Sequence, residues 1–173
     1  MIRWNLFFEV EKVEQLPLID SAVDVATCRN GLHQMANPGR AMAELHRAIR
    51  PSGLACLVES VAPSKKAHPE WSRILRLKDR GRHRDFYYTA NDFESWVERS
   101  GFTILRTDSI EVRFDVNQWI TMGGVTGPRA AAVRQLFIEA SNELRTAMAI
   151  ESAGEGLYAN KLVHMVTARA HVG

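Results

Sequence analysis

A chain of 173 residues falls in the range of one domain, about 100–200 residues, and its 46% apolar and 24% charged content is that of an ordinary globular protein. This composition excludes a disordered tract, a collagen-like repeat and a disulfide scaffold, and a net charge of +2 gives no global reason to invoke nucleic acid. Cys28 and Cys56 lie in apolar runs without CxxC spacing and read as buried free thiols. The apolar run near the N-terminus is broken by Glu9 and Glu11, so it is not a signal peptide. No stretch of about 18 uncharged apolar residues is present. The expected location is cytoplasmic, and no His/Cys/Asp cluster has the spacing of a metal site.

In chain order, Leu6–Val10 reads as a short strand and Pro17 marks a connection. Val23–Cys28 is a continuous β-prone run, the pattern of a strand buried on both faces. Asn37 is a good N-cap with Pro38 at N1, where a missing N–H costs nothing. Ala41, Met42, Leu45 and Ile49 then trace an amphipathic stripe that Pro51 and Gly53 end. Leu54–Val58 is the next buried strand. The segment from Ser64 to Arg84 is strongly basic, with Trp71, Ile74, Leu75 and Leu77 suggesting one apolar helical side. Thr89–Asp92 has the form of a capping box for a helix through Ser100, with Gly101 at C′.

Phe102–Thr107 and Ile110–Asp115 are read as two strands, the second exposed on one face because its residues alternate. Asp115 is placed to cap a short helix through Trp119. Gly123–Pro128 is a loop, and Pro128 opens a single long helix to about Ile150. Leu162–Ala168 is the final strand. Helices and strands alternate, so the class is α/β. One domain over residues 1–173 is expected, with 64–88 and 116–150 as lid or substrate-cap insertions.

Val23–His33 reads Val-Asp-Val-Ala-Thr-Cys-Arg-Asn-Gly-Leu-His, and Arg47–Gly53 reads Arg-Ala-Ile-Arg-Pro-Ser-Gly. With Glu11–Pro17 (Glu-Lys-Val-Glu-Gln-Leu-Pro), these segments resemble class I S-adenosylmethionine (SAM)-dependent methyltransferases, in the menaquinone/ubiquinone C-methyltransferase-like branch. The resemblance implies a Rossmann-like sheet of strand order 3-2-1-4-5-7-6, of which residues 1–173 match the part equivalent to 3-4-5-7-6. The Gly-x-Gly turn and the ribose-binding carboxylate of that family have no counterpart in these residues. The acid that accepts from the adenine amino group is Lys12, and the glycine before it is Glu11.

That likeness implies SAM as cofactor, with Lys12, Val13 and Arg29 at the cofactor-binding positions, and a small organic acceptor. His33, just past the fourth strand, is the candidate general base; a hydrogen-bonded, inert histidine is the bland alternative. Tyr87, Tyr88, Trp119 and Met122 are candidates for an apolar substrate wall, with core packing the competing explanation. Glu59 reads as a capping or salt-bridging acid, and His46 and His164 as structural. The basic run Lys65–Arg84 reads as a solvated helix face, with binding of an anionic substrate or nucleic acid as the alternative. A non-catalytic, repurposed binding module that has lost SAM is the alternative function. Because Val23–Cys28 would lack its first-strand neighbour, a homodimer paired through that edge is expected.

Overall fold

The structure, a computed structural model, describes residues 12–79 and 89–171. Glu11, Tyr87, Tyr88 and the expected strand at Leu6–Val10 lie outside them. Two strands enter in parallel: β1 (Val23–Arg29) pairs with β2 (Ile49–Val61), joined by a short 3-10 turn at Leu32–Gln34 and helix α1 (Pro38–Ala48). Helices α2 (His68–Lys78) and α3 (Ala90–Arg99) follow, then β3 (Phe102–Asp115), α4 (Val116–Met122), α5 (Gly127–Ile138), α6 (Asn142–Ala147), β4 (Glu151–Ala153) and β5 (Gly156–Ala170). The sheet runs β1-β2-β5-β3, with β4 hairpinned onto β5. β5 is antiparallel to both β2 and β3. This is the 4-5-7-6 part of the expected order, with the last strand inserted antiparallel.

The caps are those the sequence indicates. Asn37 Oδ1 accepts from the Arg40 N–H at 3.0 Å, Thr89 and Asp92 form a reciprocal capping box, and Asp115 Oδ1 accepts from Gln118 N–H at 2.9 Å. Gly101 ends α3 with a φ of +92°, where a side chain would be strained.

Three elements differ from expectation. The two strands expected between Phe102 and Asp115 are one, because every residue from Ile110 to Asp115 finds a partner on β5 beyond an irregularity between Ile104 and Arg106. The long helix from Pro128 is broken after Ile138. Ser141 takes a cap position there, its Oγ accepting from Leu144 N–H at 3.2 Å while its own N–H and O–H donate to Glu70 of α2. A side chain that can satisfy backbone groups outside a helix competes with continuing it. The third is β4, whose two-residue turn places Gly154 at a φ of +58°, the geometry of a primed hairpin turn.

Two apolar clusters hold the molecule. Met42 and Leu45 of α1, Phe93 and Val97 of α3, and Ala55, Leu57, Phe102, Val166 and Ala168 of the sheet form one. The other joins α2, α4, α5 and α6 through Trp71, Ile74, Ile120, Phe137 and Leu144, and it reaches Leu157 and Ala159 at the start of β5. The segments 64–88 and 116–150, as far as they are described, therefore pack on one another beside the sheet's carboxyl edge. Among the described residues β1 pairs with β2 alone, and Val25 on it is half exposed.

Arg47 anchors the connection ahead of β1: it donates to the carbonyls of Leu16 and Leu18 and to the carboxylates of Glu44 and Asp20. The Arg47 guanidinium holds the Glu44 carboxyl down to about 2. A depressed carboxylate contributes stability at neutral pH that is lost as pH falls from the ordinary carboxylate range through that value.

The irregular stretch of β2 opposite Val23 and Val25 offers a direct check. A Cβ on Gly53 would stand 2.6 Å from Ile49 Cγ2 and 2.8 Å from the Asp24 carbonyl oxygen, whereas Ser52 beside it already holds a φ of +65°. Gly53→Ala is expected to destabilise by about 1–3 kcal/mol, and Ser52→Gly to leave stability unchanged or raise it by up to about 1 kcal/mol. The urea midpoint should fall for Gly53→Ala and should not fall for Ser52→Gly.

Candidate functional site

The site begins where β1 ends. Asn30 takes a φ of +50° and still donates its N–H to the Val58 carbonyl at 2.7 Å, so the chain turns while tied to β2. The next two amides, Gly31 and Leu32, both donate to Glu59 Oε1, at 2.9 and 2.8 Å. His33 Nδ1 meets the other oxygen, Glu59 Oε2, at 2.8 Å. Gly31 is required by packing, since a Cβ would come within 2.9 Å of Cys28 Sγ. Leu32, His33 and Glu59 are all buried. A buried carboxylate is tolerable only when its oxygens are met by donors, and the turn after β1 supplies them.

An ionised carboxylate accepts only, so the proton of this pair sits on His33 Nδ1 and Nε2 is the acceptor. Gln34 Nε2 stands 3.3 Å from that nitrogen. Burial and the nearby Glu59 charge also push the Cys28 thiol up, which makes it a poor nucleophile.

His33 opens on a cleft of about 160 Å³ at the carboxyl edge of β1 and β2. Asn30, Gln34 and Ser60 complete its sheet side, and Trp71, Leu75 and Lys78 of α2 with Asp79 form the facing wall. Trp119 of α4 and Lys161 of β5 close it. The rings of Trp71 and Trp119 stack at 5.9 Å, and Lys78 Nζ lies 4.5 Å above the Trp119 ring while pairing with Asp79 at 2.8 Å. The cleft is smaller than the ~300–1,000 Å³ of drug-sized sites, which favours a small ligand.

The structure thus brings His33 and Trp119 together. Arg29 is exposed at the end of β1, and its charge is felt at Lys161. Lys12 and Val13 start the short turn Val13–Gln15 that packs on α1, away from the cleft lining. Met122, in the last turn of α4, is 80% exposed and does not line the cleft. His164 and His46 serve packing: His164 Nδ1 bonds Ser109 Oγ at 2.7 Å, and His46 meets the Phe102 ring edge-on. Trp71, Lys78, Asp79 and Lys161 were not singled out as site residues from sequence. The one available signal was Lys161, a cation immediately before the apolar pair Leu162-Val163.

The sequence profile of a family described as "Methyltransferase domain" matches residues 6–107, more than half of the chain. The chain belongs to this family. Among its relatives is YcgJ of Bacillus subtilis, described as an uncharacterized methyltransferase. YcgJ is 24% identical over 147 residues, which make up 84% of this chain and 57% of that protein. A demethylmenaquinone methyltransferase of Chlamydia pneumoniae is 35% identical over 60 residues, 35% of this chain and 26% of that one. The chain therefore spans little more than half of one relative and about a quarter of the other. A solved Bacillus halodurans structure superposes with a TM-score of 0.84 at 20% identity, over 94% of this chain and 76% of its own. That likeness establishes the fold.

The family implies SAM. The position that the resemblance assigns to adenine recognition is Lys12, which is exposed and has three donors and no acceptor for the purine amino group. The ribose-binding carboxylate has no counterpart among the described residues. The Lys12 side chain does not match the adenine contact.

Glu59→Ala would leave the Gly31 and Leu32 amides and His33 Nδ1 without their acceptor. A loss of about 3 kcal/mol or more is expected in urea unfolding, with Glu59→Gln costing less because one oxygen remains for the two amides.

Proposed function

We propose that this chain is a SAM-dependent methyltransferase of a small organic acceptor, and that the cleft beside His33 is its acceptor site. The observation that carries this reading is the buried Glu59–His33 pair at the carboxyl edge of two parallel strands, where ligands of open α/β sheets bind. The carboxylate orients the imidazole, the division of labour of a base and its orienting acid. An acceptor O–H or N–H placed within hydrogen-bond reach of Nε2 would lose its proton there as its lone pair becomes the nucleophile. The Trp71–Trp119 stack excludes water from the side of the cleft opposite the sheet, and holding the acceptor against it converts a chance encounter into a fixed approach.

A second reading, a binding module of the same lineage that has lost SAM, is favoured by Lys12. The two are separated by titration. Calorimetry of the purified chain with SAM is expected to give a dissociation constant weaker than about 100 μM, equivalent to about −5.5 kcal/mol. Lys12→Asp, which restores an acceptor, should tighten binding at least tenfold. Tight binding by the unaltered chain would reveal a cofactor site built from other residues.

With a candidate acceptor and saturating SAM, His33→Ala is expected to lower turnover about a hundredfold, the scale of a lost general base. An unchanged rate would reduce His33 to a structural residue. No turnover in any variant, together with SAM binding that Lys12→Asp does not improve, would favour the binding module.

A further inference from the structure

The geometry points to a small organic acid as the ligand of this cleft, its carboxylate held between the Lys161 ammonium and the Trp71 indole N–H. The inference rests on the cleft being the acceptor site.

Three features of the cleft converge on it. The first is a charge without a counter-charge. Lys161 is half-buried on β5 and pairs with no carboxylate among the described residues. The acids nearby are committed elsewhere: Asp79 pairs with Lys78 and Glu59 with His33. Burial, and then the like charges of Lys78 and Arg29, push the Lys161 amine down, so the fold holds a cation where its surroundings oppose one.

The second is a donor without an acceptor. Trp71 is 1% exposed and its Nε1 has no hydrogen-bond partner. An indole N–H only donates, so what it lacks is an acceptor atom, and buried donors are rarely left so.

The third is the makeup of the remaining wall. One ammonium and one N–H match the two oxygens of a monoanionic carboxylate, whereas a phosphate presents more charge and three oxygens for which the cleft shows no further free cation among its described lining. Leu75 and the edges of Trp71 and Trp119 offer apolar contact to the body of the acid. His33 lines the same cleft, so an acid anchored at Lys161 would extend its remaining groups toward Nε2.

The probe is benzoate, with benzamide as its neutral isostere and inorganic phosphate as the competing anion. Binding is read by tryptophan fluorescence and calorimetry on the whole chain without SAM. Saturable benzoate binding at least tenfold tighter than that of benzamide or phosphate is expected. Lys161→Met, which keeps the side chain's bulk, should weaken benzoate at least tenfold, Lys161→Arg should retain it, and Trp71→Phe should weaken it several-fold. Without ligand, Lys161→Met should unfold at a higher urea concentration than the unaltered chain, because an opposed cation has been removed.

Equal binding of benzamide and benzoate, preferential binding of phosphate, or a folded Lys161→Met that binds benzoate unchanged would each overturn the inference. A lower unfolding midpoint for Lys161→Met would also overturn it, by showing the lysine to be structural. Benzoate binding with no methyl transfer in any variant would sink the acceptor-site reading and leave an organic-acid binding site standing.

Discussion

The carboxylate of Glu59 is the hinge on which the site turns. Its burial imposes a requirement that water cannot meet, and three donors of the loop after β1 meet it instead. That requirement fixes the loop, the loop fixes Leu32 in the apolar cluster beneath the sheet, and the histidine ring is locked in one tautomer as a by-product. Removing water from the pair also strengthens it, since the same separation is worth several times more away from bulk solvent. Structure and chemistry are therefore not separable at this position, and the same contacts that keep the β1–α1 connection folded place His33 on the cleft lining.

Much of the fold was legible because its signals are local. Asn37-Pro38, Thr89 to Asp92 and Asp115 are caps whose partners lie three residues away, and a sequence shows such pairs directly. The strand order came from the likeness of short segments to a known family, since nothing in periodicity says that the last strand enters between its predecessors. What was missed depends on distant partners. Ile110–Asp115 looked like a separate strand because Asp108-Ser109 reads as a break, until both are seen paired with Met165 and His164 of β5. The helix from Pro128 looked continuous because its apolar stripe continues through Leu144, whereas the contact of Ser141 with Glu70, 71 residues earlier, ends it.

The site divides in the same way. His33 and Trp119 stood out from their place in family-like segments, and Glu59 from its place at a strand's end. Lys78 and Asp79 did not, because a basic run with a neighbouring acid reads as a solvated surface until α2 is seen to wall the cleft, and Lys161 did not because the residues that face it there are distant in sequence. Met122 shows the converse: an apolar residue three positions after Trp119, at the end of a short helix, lies beyond the cleft and in solvent.

The placement of β5 also shapes how the molecule assembles. β2 and β3 never touch as strands; each is bonded to β5, which is the last of the three in sequence. Until β5 arrives, β2 presents one long unpaired edge and β3 has no partner at all, so neither the sheet nor the cleft wall that carries Lys161 exists in a partly assembled chain. Most of the ladder thus closes in one late, long-range event, which slows folding relative to a chain whose neighbours in sequence are neighbours in space. The interval before closure is when this protein is most exposed to edge-to-edge association, and the rate at which β5 docks sets how long that interval lasts.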